Sequence, residues 1–134
     1  VTQTYEDWAD ILPVEARGRN DDPGDFGIPN LLRYAFGMDP LRPTRENLPQ
    51  LGRTGINNSP GGESLTLTFT RRKDARDLVF SVEASQDLQV WNLLNVPIET
   101  IDDGNGETET VKVTDNVALN ASATRFLRLR IESQ

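Results

Sequence analysis

The chain contains no histidine and no cysteine. That composition excludes imidazole bases, thiol nucleophiles, Ser-His-Asp triads, the common zinc sites and disulfides. Carboxylates remain, and two of them flanking one bond are what glycoside hydrolysis needs. Glu63, Asp74, Asp77, Glu83 and Glu99 are available, but they fall in turns or alternate outward along extended segments. No spacing sets two of them against one substrate. No catalytic residue is assigned, and a non-catalytic role is expected.

A second chemistry is suggested by Asp22-Pro23-Gly24-Asp25-Phe26-Gly27-Ile28-Pro29-Asn30, which runs into a Leu-Leu helix. A calcium loop gathers carboxylates at positions 1, 3 and 5, a glycine at 6, a carbonyl at 7 and a bidentate acid at 12. With Gly27 at position 6, Asp22 takes 1, Gly24 takes 3, Phe26 takes 5, Asn30 takes 9 and Arg33 takes 12. Positions 3 and 5 have lost their oxygen side chains, and position 12 carries a cation. Asp22, Asp25 and Asn30 are the candidate metal ligands, with calcium the only cofactor considered. The alternative is structural: Asp22 and Asp25 order a turn, and Asn30 caps the following helix through its side-chain oxygen. The second acidic cluster, Asp102, Asp103, Asn105 and Glu107, reads as a solvated hairpin tip.

Surface recognition is the third possibility. Sugars stack their C–H faces on exposed aromatic rings, while their hydroxyls bond to planar polar groups. Phe36, Phe69 and Phe80 fall on inward periods, leaving Phe26 in its loop and Tyr34 on a helix flank as the exposed rings. Trp91 is either a third such ring or a filler at the sheet edge. Thr66, Thr68, Thr70, Lys112, Arg128 and Arg130 alternate onto an outer face able to grip an acidic polysaccharide. The competing reading is a solvated face in which Glu83 pairs with Arg128 or Arg130 across strands. The candidate ligand-binding set is Tyr34, Phe26, Trp91, Arg128, Arg130 and Lys112.

The elements that must carry these residues are legible in outline. Residues 4–12 form an amphipathic helix with Tyr5, Trp8, Ala9 and Leu12 on one face, capped by Thr4 with Asp7 and stopped by Pro13. Asn30 opens a second helix, with Leu31, Leu32, Ala35 and Phe36 inward and Gly37 as its left-handed stop. Residues 47–62 are a proline- and glycine-rich connector with a short edge strand near Leu48–Arg53. From residue 64 the period becomes two: 65–69, 78–84, a shorter run at 90–94, 111–113 and 127–131. The fold expected is mainly β, an antiparallel immunoglobulin/fibronectin-III-like β-sandwich with two short N-terminal helices. Residues 1–134 make a single domain, 1–46 a helical segment packed on the sandwich of 63–134.

The stretch from Asp22 to Pro40, through Asp25, Gly27, Asn30, Tyr34, Gly37 and Asp39, resembles C-terminal modules of large secreted proteins of environmental bacteria. In those modules a dockerin- or thrombospondin-type-3-like calcium loop precedes a β-rich unit. Leu67-Thr68-Phe69-Thr70-Arg71-Arg72, Val82 to Leu88 and Trp91 resemble that unit. The resemblance implies secretion, a multidomain parent and calcium at the loop. Composition narrows partners further: a net charge of −7, with 21 acids against 14 bases and no basic arm, argues against nucleic acid and anionic membrane. No apolar run is long enough to span a bilayer. Val1 in place of Met suggests a fragment or a mature product, monomeric as an isolated module. The function expected is a carbohydrate-binding accessory module of a secreted polysaccharide-active protein. The alternative is a spacer, anchor or secretion-linked terminal module without a ligand.

Overall fold

The change of period near residue 64 separates two kinds of structure in the computed structural model, which describes residues 4–55, 63–73, 75–117 and 124–133. The remainder of the connector, residues 56–62, and Asp74 in the turn after Lys73 lie outside the described residues. The first part holds helices α1 (Tyr5–Ala9) and α2 (Asn30–Ala35). Strand β1 (Gln50–Gly55) precedes that change, and after the connector come β2 (Glu63–Arg72), β3 (Leu78–Ser85), β4 (Asn92–Leu93), β5 (Ile98–Asp102), β6 (Thr108–Thr114) and β7 (Phe126–Ser133). The strands form two antiparallel sheets, ordered β1-β2-β6-β5 and β4-β3-β7. The chain is thus mainly β and sandwich-like, with two short helices at its start. Among the described residues no helix is long and apolar enough to cross a membrane.

Alternation along the strands builds the core. Leu67 lies opposite Val113 and Phe69 opposite Val111, all four buried on the inner face of the four-stranded sheet. Val82, Phe80, Leu127, Leu129 and Ile131 meet them from the other sheet. The Phe69 and Phe80 rings stack across the gap at 6.1 Å. On the opposite face of the four-stranded sheet, Thr66, Thr68 and Thr70 pair with Thr114, Lys112 and Thr110. β5 was not foreseen. All five of its residues are exposed, so an edge strand of this kind leaves no hydrophobic period to read.

The helices close one end of the sandwich. The capping box forms as the sequence predicts, with Asp7 N–H bound to the Thr4 hydroxyl and Thr4 N–H to the Asp7 carboxylate. Tyr5, Trp8 and Tyr34 pack as a tilted and edge-on trio with centroids 5.5–5.7 Å apart. Asp77, just ahead of β3, accepts hydrogen bonds from the Tyr5 N–H at 3.0 Å and the Tyr34 hydroxyl at 2.7 Å. Burial, then the bond to Asp77, pushes the Tyr34 phenol far above its ordinary range. α2 ends in a Schellman turn: Gly37 N–H binds Tyr34 O and Met38 N–H binds Arg33 O. Gly37 sits at φ +72, where a Cβ would lie 2.3 Å from the Thr108 methyl.

At the other end, Asp115 after β6 accepts both arms of the Arg125 guanidinium at 2.8 Å just before β7. The carboxylate is fully buried and the Arg125 side chain 10% exposed. Replacing Asp115 with Ala strands that cation and is expected to cost about 3–5 kcal/mol in denaturant unfolding. A loss below about 1 kcal/mol, the worth of a surface ion pair, contradicts this role.

Candidate functional site

The loop before α2 does not take the form of a calcium site, and the ligand-binding set comes together only in part. In the loop before α2, the Asp22 carboxylate accepts N–H groups from Phe26 at 3.1 Å and Gly27 at 2.7 Å. Burial acts to raise the Asp22 carboxyl. The N–H groups of Gly27 and Phe26, with the Arg33 guanidinium, outweigh it and hold the group below the usual carboxylate range. Arg33 is wholly buried. Its Nε donates to Ile28 O at 2.7 Å, Nη1 to Pro40 O at 2.8 Å, and Nη2 to Pro23 O at 2.8 Å and to the Asp22 carboxylate. The Phe26 ring covers the guanidinium, its centroid 5.4 Å from Cζ.

Asp22 and Ile28 occupy positions 1 and 7, so two of the three surviving ligand positions turn onto the side chain from position 12. The guanidinium takes the oxygens an ion there would need. Asp25 is exposed, at φ 56. Asn30 is buried and donates from Nδ2 to Ala16 O at 2.8 Å and Gly18 O at 3.0 Å. Its Oδ1 has no hydrogen-bond partner among the described residues. Asn30 therefore does not cap α2, whose N-cap position falls on Pro29. Asp22, Asp25 and Asn30 do not converge, and a divalent cation would meet the guanidinium's positive charge. The residues do not fit calcium. The described residues also hold no cluster of three or more potential metal ligands.

Of the ligand-binding set, Tyr34 is a correction: it is completely buried, carrying the Asp77 bond rather than presenting a ring. The reason is that α2 buries Arg33, Tyr34 and Ala35 in succession, with the buried cap residue Phe36 after them, so its flank opposite Leu31 is not a solvent face. Phe26 is 46% exposed but belongs to the arginine loop. Lys112 lies on the four-stranded sheet between Thr68 and Glu99, away from the two arginines.

Trp91, Arg128 and Arg130 do come together, on the outer face of β4-β3-β7. Register sets Arg128 opposite Glu83 and Arg130 opposite Ser81. Arg128 Nε donates to Glu83 at 2.8 Å, and its Cζ sits 4.1 Å from the Trp91 ring centroid. Arg130 binds Glu132 at 2.7 Å and stands 3.9 Å from Glu83. Glu83, missed as a member of the site, is its hub. Leu93, opposite Glu83 in register, is 66% exposed.

The loop from β3 places the tryptophan. Ser85 Oγ accepts from Asp87 N–H and Leu88 N–H, and Asp87 accepts from Gln89 N–H at 2.9 Å and Val90 N–H at 3.0 Å. The N–H groups of Val90 and Gln89 hold the Asp87 carboxyl below its ordinary range. The hairpin tip behaves as expected: Asp102, Asp103 and Asn105 bind their own loop and neighbouring threonines.

No protein-family model, curated protein or solved structure matches the chain.

Two outcomes follow from the loop geometry. Arg33→Met keeps the stem but orphans the Ile28, Pro23 and Pro40 carbonyls, and is expected to lower unfolding free energy by about 3 kcal/mol or more. Unchanged denaturant stability contradicts the assignment. Asp22 and Asp87 have depressed folded pKa values, so their stabilisation is complete above the unfolded carboxylate pKa of about 4. It is lost as pH falls through the folded values. Asp22→Asn should flatten the acid limb of a melting-temperature profile, and an unaltered limb argues against the linkage.

Proposed function

We propose that the chain is a non-catalytic carbohydrate-binding module whose contact surface is the outer face of β4-β3-β7. The observation that carries this reading is the stacked Trp91–Arg128 pair, anchored by Glu83 on an otherwise exposed sheet face. Arg128 covers one face of the half-buried Trp91 ring, and the exposed part of the indole is the apolar platform offered to a pyranose. Glu83, Arg128 and Arg130 offer donors and acceptors in fixed positions to hydroxyl pairs.

Charge balance selects the glycan class. Two arginines stand against Glu83 and Glu132 and are already bound to them, so a polyanion gains little there. The surface suits a neutral polysaccharide better than a uronic-acid polymer. Non-catalytic status is supported by the basic partner held by the carboxylate in each of Glu83–Arg128, Glu109–Arg71, Asp102–Lys73 and Asp115–Arg125.

The strand order supports an immunoglobulin-like reading of the fold. Order β1-β2-β6-β5 corresponds to A-B-E-D of a constant-type domain, and β3 with β7 to C and F. Secretion and attachment to a polysaccharide-active parent rest on the resemblance of Asp22–Pro40 and of the Trp91 region to modules of that setting.

A glycan array and pull-down on insoluble polysaccharides test the reading. A neutral glycan should bind, Trp91→Ala should weaken it about tenfold or more, and raising salt from about 50 to 500 mM should change affinity less than about twofold. Silence on all glycans, or binding indifferent to Trp91→Ala, contradicts the proposal.

A further inference from the structure

Strand β3 has unequal neighbours. β7 pairs with all of Leu78–Ser85, whereas β4 reaches only Glu83 and Ala84. One further bond runs from Leu94 N–H to Val82 O at 2.8 Å. In an antiparallel ladder a residue's N–H and C=O point to the same side, and that side alternates along the strand. Val82 O points toward β4, so the N–H and C=O of Phe80 point that way too. Among the described residues no strand lies opposite them.

Beside this edge is an apolar cavity of about 340 Å³ between the sheets, walled by Phe69, Phe80, Val111, Val113 and Leu129, and lined also by Leu93, Leu94, Asn95 and Ile98 of the β4–β5 segment. A second cavity of about 370 Å³ shares Arg71, Val79 and Phe80 with it and continues along the same edge toward Lys73 and Arg76. Arg71 is paired with Glu109 and Lys73 with Asp102, while Arg76 is exposed and has no ion-pair partner among the described residues. The Phe80 backbone groups, with no partner among the described residues, therefore adjoin an apolar slot that continues to a cationic end.

We propose that this edge takes up an extended peptide segment of a partner protein as an added strand, its apolar side chains entering the slot and its carboxylates meeting Arg76. Strand addition draws affinity from main-chain bonds and specificity from pockets for alternate side chains. The line from apolar slot to cationic end asks for apolar residues at every second position followed by acids. The site lies between the sheets and is independent of the Trp91 face.

The test uses fluorescein-labelled heptapeptides and the whole chain. One peptide alternates valine and threonine and ends in two aspartates, one is its reverse, and one ends in two lysines. One of the two acidic peptides should bind saturably, with Kd on the order of 10–100 μM, and should slow amide exchange at Phe80. Binding should fall about fivefold or more with Arg76→Glu, with Ile98→Glu, or with the lysine-ended peptide. Both substituted positions are exposed enough for the fold to tolerate the change, which circular dichroism verifies. The proposal is overturned by no binding of either acidic peptide at about 1 mM, or by binding indifferent to both substitutions. Uptake of dodecanoate in place of peptide, with the Phe80 amide unprotected, overturns it equally.

Discussion

A buried guanidinium surrounded by oxygen atoms organises the N-terminal third of this chain. Carbonyls of Pro23, Ile28 and Pro40 and the Asp22 carboxylate converge on one point, and without a cation there they would be desolvated acceptors facing one another. Calcium solves that problem in loops of this outline with two charges and six or more oxygens. Arg33 solves it with one charge and a planar set of donors carried on the chain itself. The covalent solution removes dependence on ion concentration, and it couples the loop to α2, because the same residue is a helix position. The Phe26 ring over Cζ completes the enclosure.

What the arginine fixes is then passed to the sheets. The Schellman turn binds back to Arg33 O and Tyr34 O, Trp8 Nε1 donates to Met38 O at 2.9 Å, and Arg72 Nε donates from β2 to Tyr34 O at 2.7 Å. Tyr34 and Tyr5 both reach Asp77 at the β2–β3 corner. The helical segment thus plugs one end of the sandwich through specific hydrogen bonds and an aromatic trio. Among the described residues it leaves the outer face bearing Trp91 uncovered. The loop's structure and the proposed recognition on the sheet are separable in this arrangement, since none of the described residues serves both.

Local rules carried most of what was legible beforehand. The Thr4–Asp7 capping box, the left-handed Gly37 and the period-two runs of β2, β3, β6 and β7 each depend on a few neighbouring residues, and each stands where the sequence places it. The Glu83–Arg128 pair followed from strand alternation and is present. What escaped depends on the tertiary setting. A six-residue helix whose last three residues are all buried has no polar face to mark, so Tyr34 passed for a flank and Arg33 for a lost ligand. The signal for Arg33 was there in another form: position 12 had changed sign while positions 1 and 7 could still supply oxygens. Trp91 was named as a ring, but its stacking on Arg128 depends on hydrogen bonds of the Ser85–Val90 loop and on Leu88 at φ 65. Spacing does not reveal such features.

The idea that a side chain has taken the ion's place is tested most directly by thermal unfolding in excess calcium and in excess chelator. Ligand that binds only the native state must raise the transition, by about 2.7 kcal/mol at a hundredfold excess over Kd. Superimposable transitions in calcium and in chelator are the predicted result. A transition that rises with calcium and falls with chelator would mean that Asp22 and its loop still hold a metal, and would contradict the account.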